Sequence, residues 1–343
     1  MARMEMGPPP YYKDQALLLD WDPSWTPDVS TFGSLSGNDK WAGGVLAPNG
    51  KIYGIPFNAS TVLEIDPETQ TTSTFGSLGG TVKWFGGVLA PNGKIYGIPR
   101  NSSTILEIDP DAQTASTFGN LSGNDKWFGG VLAPNGKIYG IPRSASTILE
   151  IDPETQTTST FGNLSGSNKW LGGVLAPNGK IYGIPGSAST VLEIDPETQT
   201  TSTFGSVGTG TFKWYGGALA FNGKIYGIPA QASTILEIDP ETQTASTFGS
   251  LSGVDKWHGG VLAPNGKIYG IPAHASTILE IDPETQTAST FGSFSGNGKW
   301  HCGVLAPNGK IYGIPRSAST VLEIGTESPQ TLEKVLAPEL NKY

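Results

Sequence analysis

Seven near-identical copies of a 43- or 44-residue unit, dense Gly and Pro punctuation inside each unit, and one spare strand at the front predict an all-β, seven-bladed β-propeller. The unit reads KWxGGVLAPNGKIYGIPxxASTxLEIDPETQTxSTFGSLSGxxK. Copies begin near Lys40, Lys83, Lys126, Lys169, Lys213, Lys256 and Lys299. So short a unit cannot bury its apolar residues alone and must pack against its neighbours. The repeats therefore predict one continuous body.

Each unit is predicted to contain four short antiparallel strands, named A to D. In the first unit they span 40–47, 51–55, 61–66 and 71–77, and each run is rich in β-branched and aromatic residues. The Pro-Asn-Gly at 48–50 lies between two apolar runs, which is a strong signal for a hairpin turn. Four strands in about 43 residues is the spacing of a propeller blade rather than of a helical solenoid.

The order of the strands predicts how the ring closes. A D-type segment, Ser30 to Gly33, precedes the first A strand, whereas the last repeat stops after its C strand at Ile324. We expect the front segment to supply the fourth strand of blade seven, a 3+1 clasp that leaves no open edge between the ends of the ring. The predicted division is an N-terminal tail (1–29), the propeller (30–325) and a C-terminal tail (326–343). Residues 16–21 resemble a diverged copy of strand C, and residues 334–343 resemble a diverged copy of strands A to B.

The blade motif resembles those of lectin-type and kelch-type β-propellers. The Gly43-Gly44 pair is similar to the kelch glycine pair, and PNGKIYGI looks like a blade motif of lectin propellers. In kelch repeats the glycine pair precedes a spaced Tyr and Trp, but here Trp41 comes first. The resemblance spans nearly the whole chain and implies the fold; kelch function does not carry over.

Two sets of repeated residues are assigned to structure. The tryptophan of each repeat is predicted to pack between blades, because aromatic side chains dominate buried area. These are Trp41, Trp84, Trp127, Trp170, Trp214, Trp257 and Trp300. Gly43 and Gly44 fit an inner strand near the axis, where side chains have no room.

The copies differ from one another at a few positions that strand order places on one face. In an up-and-down blade the D-to-A and B-to-C connections leave on one face, called here the varied face, and the A-to-B and C-to-D turns leave on the other, the copied face. Arg and aromatic residues anchor interfaces, so the varied residues are predicted to bind a partner. They are Phe57, Phe85, Arg100, Phe128, Arg143, Tyr215, His258, His274, His301 and Arg316. Drift at exposed loops is the alternative.

Charge is also predicted to differ between the faces. The seven Lys that precede the tryptophans, with Arg100, Arg143 and Arg316, outnumber three Asp on the varied face. The Asp-Pro-Glu turns make the copied face acidic. A positive mouth favours an anionic partner. Glu64 and its copies are expected to pair with the Lys of strand B.

Catalytic and metal motifs are absent from the sequence, and we predict that the chain is not an enzyme. The inner strands read GGVLAP without an acid or base, and no nucleophile elbow, phosphate loop, HExxH or CxxC occurs. Cys302 replaces a repeat glycine and is interpreted as drift rather than as a nucleophile. A three-His metal site is the alternative for His258, His274 and His301, but no carboxylate shell can be recognised, so neither metal nor cofactor is predicted.

Three functions remain open. The first is a scaffold that binds a protein or anionic partner through the varied face, one per ring. The second is a multivalent lectin with equivalent glycan sites between blades. The third is a structural or consensus-like repeat without a ligand. The net charge of -9 disfavours nucleic acid, no apolar run suggests membrane insertion, and a soluble, intracellular, monomeric ring is expected by default.

Overall fold

The computed structural model describes residues 27–326, which form seven four-stranded antiparallel sheets arranged as the blades of a closed propeller. The predicted fold is therefore confirmed. The predicted remnants at 16–21 and 334–343 lie outside the described residues. No helix within residues 27–326 has the length and hydropathy needed to cross a membrane.

Blades one to six each use four consecutive strands, and blade seven uses β26, β27, β28 and β1. The strand bounds are β1 Val29–Phe32; blade one, β2 Trp41–Leu46, β3 Ile52–Pro56, β4 Val62–Asp66, β5 Thr71–Phe75; blade two, β6 Trp84–Leu89, β7 Ile95–Pro99, β8 Ile105–Asp109, β9 Thr114–Phe118; blade three, β10 Trp127–Leu132, β11 Ile138–Pro142, β12 Ile148–Asp152, β13 Thr157–Phe161; blade four, β14 Trp170–Leu175, β15 Ile181–Pro185, β16 Val191–Asp195, β17 Thr200–Phe204; blade five, β18 Trp214–Leu219, β19 Ile225–Pro229, β20 Ile235–Asp239, β21 Thr244–Phe248; blade six, β22 Trp257–Leu262, β23 Ile268–Pro272, β24 Ile278–Asp282, β25 Thr287–Phe291; blade seven, β26 Trp300–Leu305, β27 Ile311–Pro315, β28 Val321–Ile324.

The 3+1 closure is present as predicted. Strand β1 pairs antiparallel with β28, from Val29 opposite Ile324 to Phe32 opposite Val321. The front of the chain thus completes the last blade, and β2 packs against both β6 and β26.

Turn chemistry explains where the strands end. Gly50 at φ +79° closes the A-to-B turn, and its N–H donates to Ala47 O at 3.0 Å. At the C-to-D turn the Asp66 carboxylate accepts hydrogen bonds from the N–H groups of Glu68 and Thr69 at 3.0 and 3.1 Å. The repeated Asp is therefore a turn cap, as this residue often is. Strand β5 stops two residues earlier than predicted because Gly76 takes φ +85°.

Each hydrophobic cluster between blades is shared by two neighbours. Tyr53 and Ile55 of blade one pack with Trp84 and Ile108 of blade two, and the arrangement recurs around the ring. The seven tryptophans are 2–4% exposed. The Trp41 indole also donates to Thr61 O at 2.8 Å, which satisfies its polar atom.

A buried polar network crosses the junctions near the copied face. Glu64 is 5% exposed and accepts from Lys51 Nζ at 2.7 Å, Tyr53 Oη at 3.1 Å and Gln113 Nε2 of the next blade at 2.9 Å. The predicted Lys–Glu pair is present, although the glutamate is buried rather than exposed. The same Gln-to-Glu bond is found at six junctions, including Gln70 to Glu323, which links blade one to blade seven.

The inner strands of most neighbouring blades approach one another closely at the first glycine of the repeated pair. A β-bulge places Ala42 and Gly43 opposite Ile55. A Cβ built on Gly43 would lie 2.9 Å from the Gly86 Cα of the next blade, and one built on Gly44 would lie 2.4 Å from Ile314 Cδ1. The glycine pair is thus required by close approach, as the sequence predicted.

We predict that the clasp fixes the blade count. Deleting residues 1–36 removes β1 and exposes the edge of β28, so the chain should form oligomers or aggregate and should melt at a lower temperature. Size-exclusion chromatography with light scattering and thermal unfolding measure both effects. A chain lacking only residues 1–26 keeps β1 and is the matched control; a monomer with unchanged melting after the longer deletion would contradict the clasp.

We predict that two equivalent glycines differ in their tolerance of alanine. Gly43 and Gly129 both have positive φ, +90° and +71°, but a Cβ on Gly129 would lie 3.7 Å from Gly172 Cα instead of 2.9 Å from Gly86 Cα. Gly129→Ala should cost about 1–2 kcal/mol from backbone strain alone. Gly43→Ala should cost a further ~1–3 kcal/mol from overpacking. Denaturant midpoints compare the two, and equal losses would show that axial crowding is not limiting.

We predict that the buried glutamates make the ring sensitive to acid. Burial would raise the pKa of Glu193, but hydrogen bonds from Lys180, Gln243 and Tyr182 outweigh it and hold this pKa below the ordinary 4.5. A lowered folded-state pKa stabilises the fold above pH 4.5, and that stability is lost as pH falls below it. Melting temperature measured from pH 7 to pH 3 should fall less steeply in Glu193→Gln than in the parent. Glu241→Gln, at an exposed turn, is the control and should leave the slope unchanged.

Candidate functional site

The residue after each tryptophan points into the axial channel, and together these residues fill it. Ala42, Phe85, Phe128 and Leu171 form one buried cluster with Phe57, and Tyr215 packs against it. His258 and His301 complete the set. We call the seven residues that follow the tryptophans the axial plug; its members are Ala42, Phe85, Phe128, Leu171, Tyr215, His258 and His301.

Ring contacts connect most members of the axial plug. The Phe85 and Phe128 centroids lie 3.7 Å apart, and the Tyr215 ring stacks on His258 at 4.0 Å and 14°. His301 meets Phe85 edge-on at 4.7 Å and lies 5.0 Å from His258. Aromatic pairs at these distances contribute to packing beyond buried area alone.

Burial changes the role of several residues predicted to contact a partner. Phe57, Phe85, Phe128 and His258 are 2–5% exposed, and His301 is fully buried. The structure brings them together, but inside the channel rather than on a surface. Tyr215 is the plug member that keeps intermediate exposure. The differences between repeats at these positions therefore reflect packing inside the channel as well as exposure on the varied face.

The two plug histidines are held neutral. Burial, and then the charges of Arg316 and His274, lower the pKa of His258 to about 3. The pKa of His301 lies well below its ordinary value because of burial, His258 and the arginines at the mouth. Neither ring nitrogen of His258 has a hydrogen-bond partner among the described residues. These are buried polar atoms at the centre of the molecule.

The three histidines do not converge on a metal site. His274 lies at the varied face with its Nδ1 3.7 Å from Asp255 Oδ2, apart from the plug pair. Within residues 27–326 no group of three or more His, Cys, Asp or Glu side chains is arranged to hold a metal ion. Cys302 sits next to His301 at φ +61°, and burial raises the pKa of its thiol to about 12, so it is not a thiolate at neutral pH.

The position after each Gly-Ile-Pro forms a second layer at the mouth of the channel, above the plug. Going around the ring from blade seven to blade three, this layer reads Arg316, Phe57, Arg100 and Arg143; we call these four residues the arginine crescent. The guanidinium carbons of Arg100 and Arg316 lie 5.3 and 5.6 Å from the Phe57 ring centroid, within cation–π range. Blades four to six carry Gly186, Ala230 and Ala273 instead. One side of the mouth thus carries bulky, mostly basic side chains, and the other side carries small residues.

Carboxylates and an amide fix the crescent in place. Asp125 Oδ1 accepts from Arg100 Nε at 2.7 Å and from Arg143 Nη1 at 2.6 Å, and Arg143 Nε donates to Asn168 Oδ1 at 2.8 Å. Arg316 Nε donates to Asp39 Oδ1. These bonds hold the side chains in single positions, and they also offset part of the positive charge.

The lysine that precedes each tryptophan is buried, whereas the sequence analysis counted these seven lysines as surface charges of the varied face. Lys40 Nζ donates to the carbonyls of Gly37, Arg316 and Ala318 at 2.8, 3.1 and 2.8 Å, and the side chain is 4% exposed. Burial lowers its pKa to about 8, although Asp39 opposes the shift. The lysine therefore ties the loop that enters a blade to the neighbouring B-to-C loop. Sequence reasoning missed this because a Lys before a strand reads as a solvated charge.

Grooves recur on the varied face between the loop that enters a blade and that blade's own B-to-C loop. Cavities of about 430, 520 and 570 Å³ lie at equivalent places in blades one, five and six. The first is lined by Ser34, Gly37, Trp41, Asn58, Ser60 and Thr74, and the other two by the equivalent residues with Gln231 or His274 in place of Asn58. Their walls are mostly hydroxyl groups and backbone.

Solved structures of similar fold include enzymes. A streptogramin B lyase matches with a TM-score of 0.76 and 13% identity, covering 87% of this chain and 97% of that one. A catalytically inactive variant of virginiamycin B lyase from Staphylococcus aureus with quinupristin matches with a TM-score of 0.76 and 11% identity, covering 88% and 100%. The extracellular domain of a putative hybrid two-component system from B. thetaiotaomicron matches at 0.65 and 10%, covering 87% and 42%. No curated protein matches the chain.

The prediction that the chain is not an enzyme is wrong. Lyases have the same propeller fold, so this architecture does not argue against catalysis. The inner-strand sequence GGVLAP holds no acid or base, but the residue just before it brings His258, His301 and Tyr215 into the channel. Titratable groups do reach the axial end of the inner strands. At 11–13% identity the likeness shows the fold alone and assigns no reaction.

The sequence also matches a described repeat family directly. Two overlapping stretches, residues 93–255 and 181–338, fit the model of a repeat of unknown function (DUF6923), and together they span more than half of the chain. The chain therefore belongs to this family of repeat proteins.

Proposed function

We propose that this propeller binds one acidic protein partner per ring, through the arginine crescent and the loops around it on the varied face. The observation that carries the proposal is the crescent itself. Arg316, Phe57, Arg100 and Arg143 occupy four consecutive blades once in the ring, so a partner that contacts them has a single orientation.

The geometry supports arginine as the contact group. Arg100 and Arg316 keep intermediate exposure, and their Nε atoms are fixed by carboxylates while the aromatic ring of Phe57 supports both. A side chain already held in position loses little rotamer entropy when it binds. Fixed arginines surrounded by polar loops are typical anchors of protein interfaces.

Electrostatics add support for an acidic partner. The buried lysines beneath the varied face donate to carbonyls rather than to carboxylates, as Lys40 does, and within residues 27–326 they form no ion pair. On the copied face, by contrast, Lys51 and its equivalents pair with the buried glutamates. The exposed turns there carry Asp66, Glu68 and their copies. A negative partner is attracted to one face and repelled by the other.

A multivalent lectin is the second candidate, because the polar grooves recur at equivalent places. Against it, the Trp and Tyr residues of each repeat, which a sugar would stack on, are buried: Trp41 is 3% exposed and Tyr53 is fully buried. The grooves keep hydroxyl groups but lack an open aromatic face in the residues that line them.

Paired arrays test the proposal. We expect an acidic peptide library to yield ligands that bind with one site per ring by calorimetry, while a glycan array yields none. Arg100→Gln/Arg316→Gln should weaken peptide binding about tenfold or more, because each rigid charge-assisted contact is worth about 1.5–3 kcal/mol.

Lys94→Gln/Lys137→Gln removes the same charge from the copied face and is the charge-matched control. Because these lysines pair with the buried Glu107 and Glu150, thermal unfolding is used first to show that this variant is folded. Peptide ligands that bind this control and the crescent variant with equal affinity would overturn the proposal. Glycan binding at several sites per ring would support the lectin instead. Absence of binding on both arrays would contradict both functions.

A further inference from the structure

We infer that the channel mouth above Tyr215 is a specific oxyanion site, in which Arg100, Arg143 and Arg316 bind a single carboxylate or phosphate group and the Tyr215 hydroxyl donates to it. The inference rests on the proposed function and names the chemical group that the varied face recognises.

Unused donors at the mouth are the first support. Arg100 and Arg316 each make one hydrogen bond within the described residues, through Nε, so their terminal nitrogens donate to neither Asp39 nor Asp125. These nitrogens are not buried, since none appears among the enclosed unpaired atoms. Guanidinium groups present parallel donors that match the geometry of carboxylate and phosphate.

Tyr215 lies next to the crescent: its ring centroid is 6.2 Å from that of Phe85, and the Arg100 guanidinium carbon is 5.9 Å from the same Phe85 centroid. Burial raises the pKa of the Tyr215 phenol, whereas the charges of Arg316, Arg100 and Arg143 act in the opposite direction. The phenol therefore stays protonated at neutral pH and can donate a hydrogen bond. It is also the plug ring with intermediate exposure, while the neighbouring His258 is 5% exposed.

The opposite side of the mouth carries small residues. Gly186, Ala230 and Ala273 stand where the crescent has Arg or Phe, next to the plug residues Leu171, Tyr215 and His258 of the same blades. Ala230 and Ala273 are 0–1% exposed and Gly186 packs against Leu171, so these positions form a closed wall rather than ligand space. A small anion therefore reaches Tyr215 from the solvent side of the mouth, where Arg100 and Arg316 keep intermediate exposure.

The free donors at the mouth set the ligand class. Asp39, Asp125 and Asp255 equal the three arginines in number, but Asp39 and Asp125 occupy only the Nε side of Arg316 and Arg100. The remaining guanidinium N–H groups can only donate hydrogen bonds, so they favour an anion over a cation. A terminal or side-chain carboxylate and a phosphate share this chemistry.

The histidines provide a direct readout, because the chain contains only three. Sodium phosphate and sodium acetate are titrated separately at constant ionic strength, set with sodium chloride, while the imidazole NMR signals are followed. We expect saturable shifts of the His258 and His301 signals in the millimolar range, with little change at His274. A larger response to acetate identifies a carboxylate site, and a larger response to phosphate identifies a phosphate site.

Two variants show whether the effect is specific. Arg100→Gln/Arg316→Gln should abolish the shifts, and Tyr215→Phe, which keeps the ring stack and so preserves the plug, should weaken binding about fivefold to tenfold. Lys94→Gln/Lys137→Gln, once thermal unfolding shows that it is folded, should bind as the parent does. If the arginine variant fails to fold, which an imidazole spectrum unlike that of the parent would reveal, Tyr215→Phe decides.

The results also separate this site from the proposed function. Linear, unsaturable shifts, or equal shifts in the parent and in Tyr215→Phe, would overturn the oxyanion site. Acidic peptides that still bind through the crescent in that case would leave the proposed function standing. Phosphate or acetate binding without any peptide ligand would support the site and overturn the protein partner.

Discussion

The close approach of seven inner strands at the axis is the constraint on which the rest of this structure depends. At Gly43 the backbone of the next blade begins where a Cβ would stand, and Gly86, Gly172, Gly216 and Gly259 are in similar contact with their neighbours. Blades that approach this closely leave a narrow axial channel, which glycine residues alone do not fill. The side chains that follow the tryptophans fill it.

This constraint explains why the copies differ there. Seven identical Phe rings directed at one axis would overlap, whereas seven alanines would leave a void, and both errors are costly in a packed interior. The plug instead mixes Ala42 and Leu171 with stacked and edge-on rings such as Phe85 on Phe128. Its members are complementary as a set. Variation at these positions follows from filling a symmetric space with side chains of different shape. The proposed recognition is assigned instead to the layer above, where the arginines reach solvent.

Much of the fold was predictable from sequence because each local signal agreed with the others. The Asn49-Gly50 turn, the Asp66 cap and the glycine pair all specify backbone geometry within a few residues, and the position of Ser30 to Gly33 specified the clasp. The site was less predictable. The width of the channel, which decides whether Phe85 is a contact or a filler, depends on the tilt of seven blades and has no sequence pattern of its own. Lys40 was misread for a related reason, since the carbonyls that cap its ammonium belong to another blade and to a loop whose path the sequence does not specify.

The residues repeated in every blade and the residues that vary between blades thus have different structural roles. Lys40 and its equivalents join blades near one face, and the Gln113-to-Glu64 type of bond joins them near the other, so neither set is free to serve a ligand without loosening the ring. A change in any copied residue would alter a blade junction. The crescent arginines also contact neighbouring blades, through Asp39, Asp125 and Asn168, but Arg100 and Arg316 use only Nε for these bonds. Side chains that keep unpaired donors after making their junction contacts are the ones available for the proposed recognition. In this molecule those side chains lie on one face, around the mouth of the filled channel, and their chemistry is that of fixed guanidinium groups.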